Sequence, residues 1–406
     1  MPIFGVTHPA FRFWPFQTLL VLVCAFASLA CTRPASHYFV DALVSSAHRP
    51  SRLDSHPPAP YQILAGDLHC HVTPPDSPYH VSRNLAETID LARGEKLDFV
   101  VLTPHLRAQF FLDSGSRASA VGALNRLEHD VSQLDHAEML VFVGFEYTDF
   151  DYGHVGAAFG NLNEVLANLA VEQAEKNPGA FFEAYVASNG LLFINHPLVT
   201  PLDYSIEMAN VDLSWRPLIE PRSYPSEIAA ANRLAHGFEA FNLTVFELRD
   251  RFLLSDPQIT LRRTLTRLDQ EILAQHRRLI PVGGSDSHSD HLRAATFVMA
   301  EHKSPRAIRE AMLAGRVCIR DPAACTFEAR EPGGAWMPIG SSFQNVEQLE
   351  VRAQGNDVHF IVNGSLAYHG SARKTMPIRV NKGRCSLLRA QVDEGYSAPI
   401  YANCAF

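Results

Sequence analysis

Two histidines spaced i, i+2 end the apolar stretch Ile63-Leu64-Ala65-Gly66-Asp67-Leu68-His69-Cys70-His71. On a strand this spacing puts both imidazoles on one face and turns Cys70 to the other. Four further apolar runs end in side chains that can hold a cation. Leu97 to Pro104 leads to His105, and Met139 to Phe145 leads to Glu146, with His154 eight residues on. Leu191 to Asn195 leads to His196, and Arg278 to Ser285 leads to Asp286 and His288, again i, i+2. Imidazole and carboxylate together bind divalent cations near neutral pH. Converging on one point, they would serve hydrolysis by activated water.

The elements that must bring these residues together are strands. Each run has the length and composition of a fully buried parallel strand. In a barrel of parallel strands, residues from several carboxyl ends form the active site. Helical stretches alternate with the runs: Ser82 to Glu95, Ala118 to Asp135, Pro178 to Ser188, Pro257 to His276 and Pro305 to Gly315. Ser82 and Ser304 are their capping candidates. The alternation predicts an α/β barrel. The proline-bearing segment from Leu198 to His236 is either a lid or a surface excursion. After Pro322 the pattern changes to short strand-like runs such as Leu349 to Ala353 and Val358 to Val362, with Asn363-Gly364 as a turn. Residues 326–406 therefore read as a small C-terminal β domain or a β extension of the barrel.

The ordered set His69-x-His71, Asp76, Thr103-x-His105, Gly144-x-Glu146, His196-Pro197 and Ser285-Asp286-x-His288 resembles the PHP (polymerase and histidinol phosphatase) superfamily. The resemblance covers roughly residues 61–325. Phe238-Glu239-Ala240-Phe241-Asn242, Gly283-Gly284-Ser285-Asp286 and the helix from Pro305 to Gly315 are similar to its carbaryl-hydrolase-like branch. The resemblance implies a distorted (β/α)7 barrel with two or three divalent metal ions, Zn, Mn or Fe. It places metal ligands at His69, His71, Asp76, His105, Glu146, His154, His196, Asp286 and His288. Glu146 would bridge two metals, and Asp286 would hold or accept the proton of the attacking water. Asp76, His105 and His288 would hold a third metal, and His196 or His154 would protonate the leaving group. Pro104 departs from the family, which usually carries Asp there, and this weakens support for His105. The implied activity is phosphomonoester or phosphodiester hydrolysis, with carboxylester or carbamate hydrolysis as the alternative. A PHP-like protein that binds metal without catalysis is the rival reading.

Composition is that of a globular protein, 47% hydrophobic and 19% charged. A formal charge of -8 argues against a general binder of nucleic acid or anionic membrane, which needs a basic face. A small-molecule ester, even an anionic one, remains compatible, because metal ions would dominate the field locally. Residues 1–31 read as an export signal: Arg12 precedes an apolar stretch from Leu19 to Ala30, short of the ~20 residues that span a bilayer. Ser28-Leu29-Ala30-Cys31 resembles a lipobox, so Cys31 is a candidate lipid site, with ordinary signal cleavage after Ala27 or Ala30, or an uncleaved anchor, as the alternatives. Residues 32–60, rich in Pro, Ser and His, read as a tether. The expected location is exported, periplasmic or outer-surface, with membrane contact only through the N-terminus. In an oxidising compartment Cys318, Cys325, Cys385 and Cys404 could form two local disulfides; buried free thiols and two other pairings are the alternatives. His129, His136, His236, His276 and His359 read as surface or satisfied core residues, and Arg249 and Arg251 as helix surface before substrate contacts. Nothing in the sequence makes Asp290 or His291 a ligand.

Overall fold

The computed structural model describes residues 58, 60–111, 113–198, 214–246, 257–370 and 375–406. The export signal, Cys31 and nearly all of the tether lie outside the described residues, as do Arg249, Arg251 and positions 199–213 of the prospective lid.

In chain order the first part contains β1 (Gln62–Cys70), α1 (Leu85–Gly94), β2 (Phe99–Leu102), β3 (His105–Arg107), α2 (Ser114–Ser132), β4 (Leu140–Val143), β5 (Phe145–Asp149) and β6 (Gly153–Ala158). It continues through α3 (Leu162–Asn168), α4 (Val171–Lys176), α5 (Gly179–Ala187), β7 (Leu191–Ile194), α6 (Ser226–Leu234) and β8 (Gly237–Asn242). Next come α7 (Pro257–Gln275), β9 (Ile280–Gly284), β10 (Thr296–Ala300), α8 (Pro305–Leu313) and β11 (Val317–Ile319). The apolar runs form β2, β7 and β9, each buried along its whole length.

This mixed α/β arrangement departs from a closed barrel, and the reason lies in β1. Strands β1, β2 and β4 are parallel neighbours, and β7, β8 and β9 are another parallel set. The chain passes from β2 to β3 and from β4 to β5, so the two sheets are continuous there. Glu146 N–H donates to Pro104 O at 2.9 Å and Gly144 N–H to Leu102 O at 2.8 Å. On the far side, residues Gln62 to Gly66 of β1 pair antiparallel with β10. Only the carboxyl end of β1 is left for the segment after β9. Asp286 N–H donates to His69 O at 2.8 Å and His71 N–H to Ser287 O at 3.0 Å, around a single Cys70–Ser287 bridge. The sheets meet at the site, where the ligand-type residues lie, without a continuous ladder closing them.

Local chemistry explains the helix boundaries. The α1 cap is Asn84, which forms a reciprocal capping box with Glu87. Ser82, the expected cap, instead donates its hydroxyl to His288 O. Asp113 accepts from the Gly115 and Ser116 N–H groups and starts α2 earlier than the apolar pattern suggests. Ser304 and Pro305 open α8 as expected. Of the prospective lid, the described part beyond 214 is packed structure. Trp215 is fully buried and donates its indole N–H to Asn232.

The C-terminal β-rich region contains β12 (Glu328–Arg330), β13 (Met337–Pro338), β14 (Ser342–Phe343), β15 (Gln348–Arg352), β16 (Val358–Val362) and β17 (Ser365–Gly370). It ends with β18 (Met376–Arg379), β19 (Ser386–Val392), β20 (Gly395–Ser397) and β21 (Ile400–Ala402). Strand β20 pairs antiparallel with β11, so this region extends the sheet that holds β1. Its core is shared too: Phe297 and Met299 of β10 pack with Leu349, Val351 and Phe360. Cys318 is bonded to Cys325 and Cys385 to Cys404. Among the described residues no helix is long and apolar enough to cross a membrane.

Candidate metal centre

Both histidines at the end of β1 are buried and face inward, and Cys70 faces the other way, into a core with Leu102 and Leu292. Burial pushes the Cys70 thiol up to about 12, so it packs and stays un-ionised. Around the histidines, β3 brings His105, β5 brings Glu146 and β6 brings His154. The turns after β7 and β9 bring His196, Asp286 and His288. His69 Nε2 lies 3.2 Å from Glu146 Oε1, 3.3 Å from Asp286 Oδ1 and 3.2 Å from His71 Nε2. His71 Nε2 lies 3.3 Å from the same Asp286 oxygen.

Glu146 is the hub, and its two oxygens face different partners. Oε1 faces His69 at 3.2 Å, His154 at 3.1 Å and His196 at 3.5 Å. Oε2 faces His105 at 3.5 Å and His71 at 3.8 Å. Three donor triads result: His69, His71 and Glu146; Glu146, His154 and His196; and His71, His105 and His288. The first two share Glu146, and the first and third share His71. Asp76 stands apart from these triads. Its oxygens face His71 Nδ1 at 3.1 Å and His105 Nδ1 at 2.9 Å, and one accepts the His105 N–H at 3.0 Å. Here it orients two imidazoles, supplying the support for His105 that Pro104 cannot.

A second layer of groups fixes the ligand-type side chains. Glu239, on β8, accepts from His69 Nδ1 at 2.9 Å and from the His196 N–H at 2.8 Å. That contact puts the His69 proton on Nδ1 and aims Nε2 at the cluster. Asn195 donates to Glu146 Oε1 at 2.9 Å, and Gly156 leaves room for it, since a Cβ there would meet Asn195 Oδ1 at 2.6 Å. Asn242 donates to both Glu239 and Asp286, each at 3.1 Å. Asp67 accepts from the backbone N–H groups of His69 and Ser285 and from the Ser285 hydroxyl, tying β1 to the end of β9. Gly284 is required by close approach, because a Cβ would lie 2.3 Å from His69 Cβ. His196 (φ 28) and Asp286 (φ 52) both adopt the left-handed region, an uncommon backbone for non-glycine residues that recurs at functional sites.

The charges balance within the cluster. Burial raises the Glu146 carboxyl, but His154 and His69 outweigh it and leave it well below the usual range. Asp286 is likewise held well below its usual value, with His69 and His71 outweighing burial. Burial would lower His69, yet Asp286, Glu239 and Glu146 hold it well above an ordinary imidazole. His71 reaches about 9 against the same opposition, through hydrogen bonds to Asp286 and Asp76. His288, buried and beside His71, falls well below. Protons on His69 and His71 thus occupy the place that a cation would take among these anions, and a cation must displace them.

The donor set fits divalent metal. It combines imidazole nitrogens with ionised carboxylate oxygens, and two of its residues, Glu146 and His71, belong to two triads each. Two donor atoms, His154 Nε2 and His196 Nδ1, are buried with no hydrogen-bond partner among the described residues. Over the cluster opens a cavity of about 1140 Å³, floored by Glu146, His154, His196, Asp286 and His288. Its wall includes Leu106, Phe110, Ala120, Leu124 and Phe150, and Arg107 is the one arginine or lysine among the described lining residues.

All nine residues singled out from the sequence meet here, directly or through Asp76. Glu239, Asn195, Asn242, Asp67 and His80 were not singled out. A carboxylate in the middle of the apolar run Phe238–Phe241 was a usable signal for Glu239, as was Asp67 in its run. His80 lines the cavity, with its ring edge-on to His105 at 4.9 Å and His288 at 4.7 Å between centroids. It lies in a loop without periodicity, so no pattern marks it. His291 is a satisfied core residue, in contact with Thr244 Oγ1 at 2.7 Å and Ser289 Oγ at 3.2 Å.

No family model matches the chain, and no curated protein matches it. Among solved structures, it is similar to a two-domain protein from Bacteroides vulgatus described as containing a predicted PHP-like metal-dependent phosphoesterase. That similarity covers 87% of this chain and 99% of the other, at 16% identity and a TM-score of 0.42. Endonuclease Q, in complex with a duplex bearing an abasic lesion, is similar over 62% of this chain and 56% of its own, at 15% identity and a TM-score of 0.35. A lesion-specific endonuclease from Pyrococcus furiosus covers the same shares at 13% identity and a TM-score of 0.32. With each of these TM-scores below 0.5, the chemistry rests on the side chains of the site.

Proposed function

We propose that the chain is a metal-dependent hydrolase of small-molecule esters, phosphomonoesters or phosphodiesters first, belonging with the PHP superfamily. The observation that carries this reading is Glu146, which belongs to two donor triads at once, one with His69 and His71 and one with His154 and His196. A carboxylate so placed can be shared between two divalent cations. His69 and His71 complete one side, and His154 and His196 the other, with His105 and His288 offering a third position. Zn²⁺, Mn²⁺ or Fe suits such ligands. Bound there, the cations would supply Lewis acidity and lower the pKa of a coordinated water toward neutrality.

The chain's own residues supply positioning and proton transfer. Asp286 lines the cavity, and Asn242 holds its Oδ2 at 3.1 Å, which leaves Oδ1 beside the histidines to take a proton from attacking water. His196 or His154, both lining the same cavity, can return a proton to a leaving oxygen when not fully engaged by metal. Glu239 keeps His69 in register, and Asp76 does so for His71 and His105.

A second reading, hydrolysis of carboxylesters or carbamates as in the carbaryl-hydrolase-like branch, draws support from the cavity wall. That wall is largely apolar and offers one arginine, Arg107, to an anion. The low positive charge also fits a reading without nucleic acid as substrate. Both local disulfides support export to an oxidising compartment. Attachment to the membrane only through the N-terminus, with residues 61–325 as the hydrolase unit and 326–406 as a small β domain built onto its sheet, completes the proposal.

The test is the metal-quantified protein assayed on chromogenic phosphomonoester, phosphodiester, carboxylester and carbamate panels. Higher kcat/KM on phosphoesters is the expected result. Preference for uncharged esters would replace the first reading by the second, and no turnover with metals bound would leave a metal-binding protein only.

A further inference from the structure

A second group of imidazoles and a carboxylate lies outside the cavity, on the hairpin of β16 and β17. The turn is Asn363-Gly364, both with positive φ as a two-residue hairpin of this kind requires. Strand β17 is the exposed member: among the described residues it pairs with β16 alone, whereas β16 also pairs with β19. Near the end of the hairpin away from the turn, His359 and His369 are direct cross-strand partners. Asp357 precedes His359 by two residues and so points to the same face.

The three side chains converge on one point. His369 Nε2 lies 3.0 Å from Asp357 Oδ1, and His359 Nε2 lies 3.3 Å from the same oxygen. The two rings stand edge to face with centroids 4.2 Å apart. Only the His369 contact has hydrogen-bond geometry. His359 Nε2 is closed off from solvent with no hydrogen-bond partner, although the residue as a whole is about a quarter exposed (24%). A buried ring nitrogen without a partner is costly unless something else binds it. Two imidazole nitrogens and one carboxylate oxygen, all within 4.8 Å of one another, make a three-ligand set with a further position open to water.

We propose that Asp357, His359 and His369 form a separate divalent-cation site, of the class that takes Zn²⁺, which clips β17 onto β16 at the open end of the hairpin. Tying the strands there fixes the register of an edge strand that otherwise has one neighbour. A pinned, charged edge also resists pairing with another chain. None of the three residues lines the cavity of the metal centre, so the clip acts on the hairpin and not on hydrolysis.

The experiment is a zinc titration of the full chain, followed by native mass spectrometry and by hydrogen exchange of the β17 amides. Wild type should bind one more Zn²⁺ than His369→Gln or His359→Gln, with affinity for that ion falling at least about tenfold in either variant. Zinc should slow exchange in β17 of the wild type and leave both variants unchanged. Asp357→Asn, which keeps the shape of the side chain, should give an intermediate affinity. Equal zinc stoichiometry in wild type and His369→Gln, or zinc protection of β17 that survives both histidine changes, would overturn the proposal. Because these readouts do not use turnover, they stand apart from the hydrolase assignment.

Discussion

The proposed metal centre, which is buried, and the hairpin cluster use the same side chains under opposite conditions. At the centre, ligand-type residues from β1, β3, β5, β6 and the turns after β7 and β9 converge, and further buried groups hold them. Glu239 fixes His69, Asp76 fixes His71 and His105, and Asn195 fixes Glu146. On the hairpin, two strands supply three residues, and Asp357 and His369 are more than half exposed, at 53% and 59%. On the proposed readings, the difference separates a catalytic centre from a simple attachment. A bridging carboxylate, a cavity and left-handed backbone at His196 and Asp286 occur only at the first of these two clusters. An exposed cluster with no supporting carboxylate can bind a cation, but nothing there positions a substrate.

The largest effect should come from Glu146→Ala, which removes the residue shared between the two sides of the centre. Turnover should fall by at least about a thousandfold, with loss of metal at the centre and zinc on the hairpin retained. Kinetics beside metal counting checks this, and full activity would break the distinction between the clusters. Asp286→Asn should lower kcat by roughly 100-fold or more, while metal content falls less, because the amide keeps an oxygen and loses the proton acceptor. Parallel loss of metal and kcat would reassign Asp286 to binding alone. Glu239→Gln sharpens the contrast in support. Metal affinity at the centre should drop about 10–100-fold, and the kcat of fully loaded enzyme should recover at high metal concentration.

The smallest effect is one of stability, at His236 between β7 and β9. Its Nδ1 accepts the Leu192 N–H at 3.2 Å, and burial, with Arg277 and Arg309 nearby, pushes the imidazole down to about 4. The folded pKa lies below the unfolded value of ~6.5, so the unfolded chain takes the proton first. The contribution is full above ~6.5 and is lost as pH falls toward 4. Wild type should lose roughly 2 kcal/mol more than His236→Gln between pH 7 and pH 5 in denaturant unfolding. An identical pH slope for both would refute this role for His236.

Much of the centre was legible because a buried strand leaves two signals together, a continuous apolar run and an abrupt polar end. His69, His71, His105, Glu146, His196, Asp286 and His288 all follow that rule. The alternation of runs and helices likewise revealed a mixed α/β fold. Closure was not legible: β10 is an apolar run like the others, and nothing in it says that it takes the edge of β1 that a barrel would use. The support layer was hidden for a different reason. Glu239 and Asp67 lie inside apolar runs, where their partners are set by long-range packing. The contacts of Asp76 with His71 and His105 were hidden in the same way, since spacing does not show which imidazoles a carboxylate meets. On the hairpin, His359 read as an ordinary residue because its partner His369 is set by cross-strand register.

The most direct test is the metal dependence of the wild-type chain itself. Protein stripped by a strong chelator should lose ester hydrolysis entirely. Activity should return as two divalent ions per chain are restored at the centre, counted in a protein carrying His359→Gln and His369→Gln so that the hairpin does not contribute. Hydrolysis that persists at zero metal, or full metal-restored activity in Glu146→Ala, would contradict the shared-carboxylate centre.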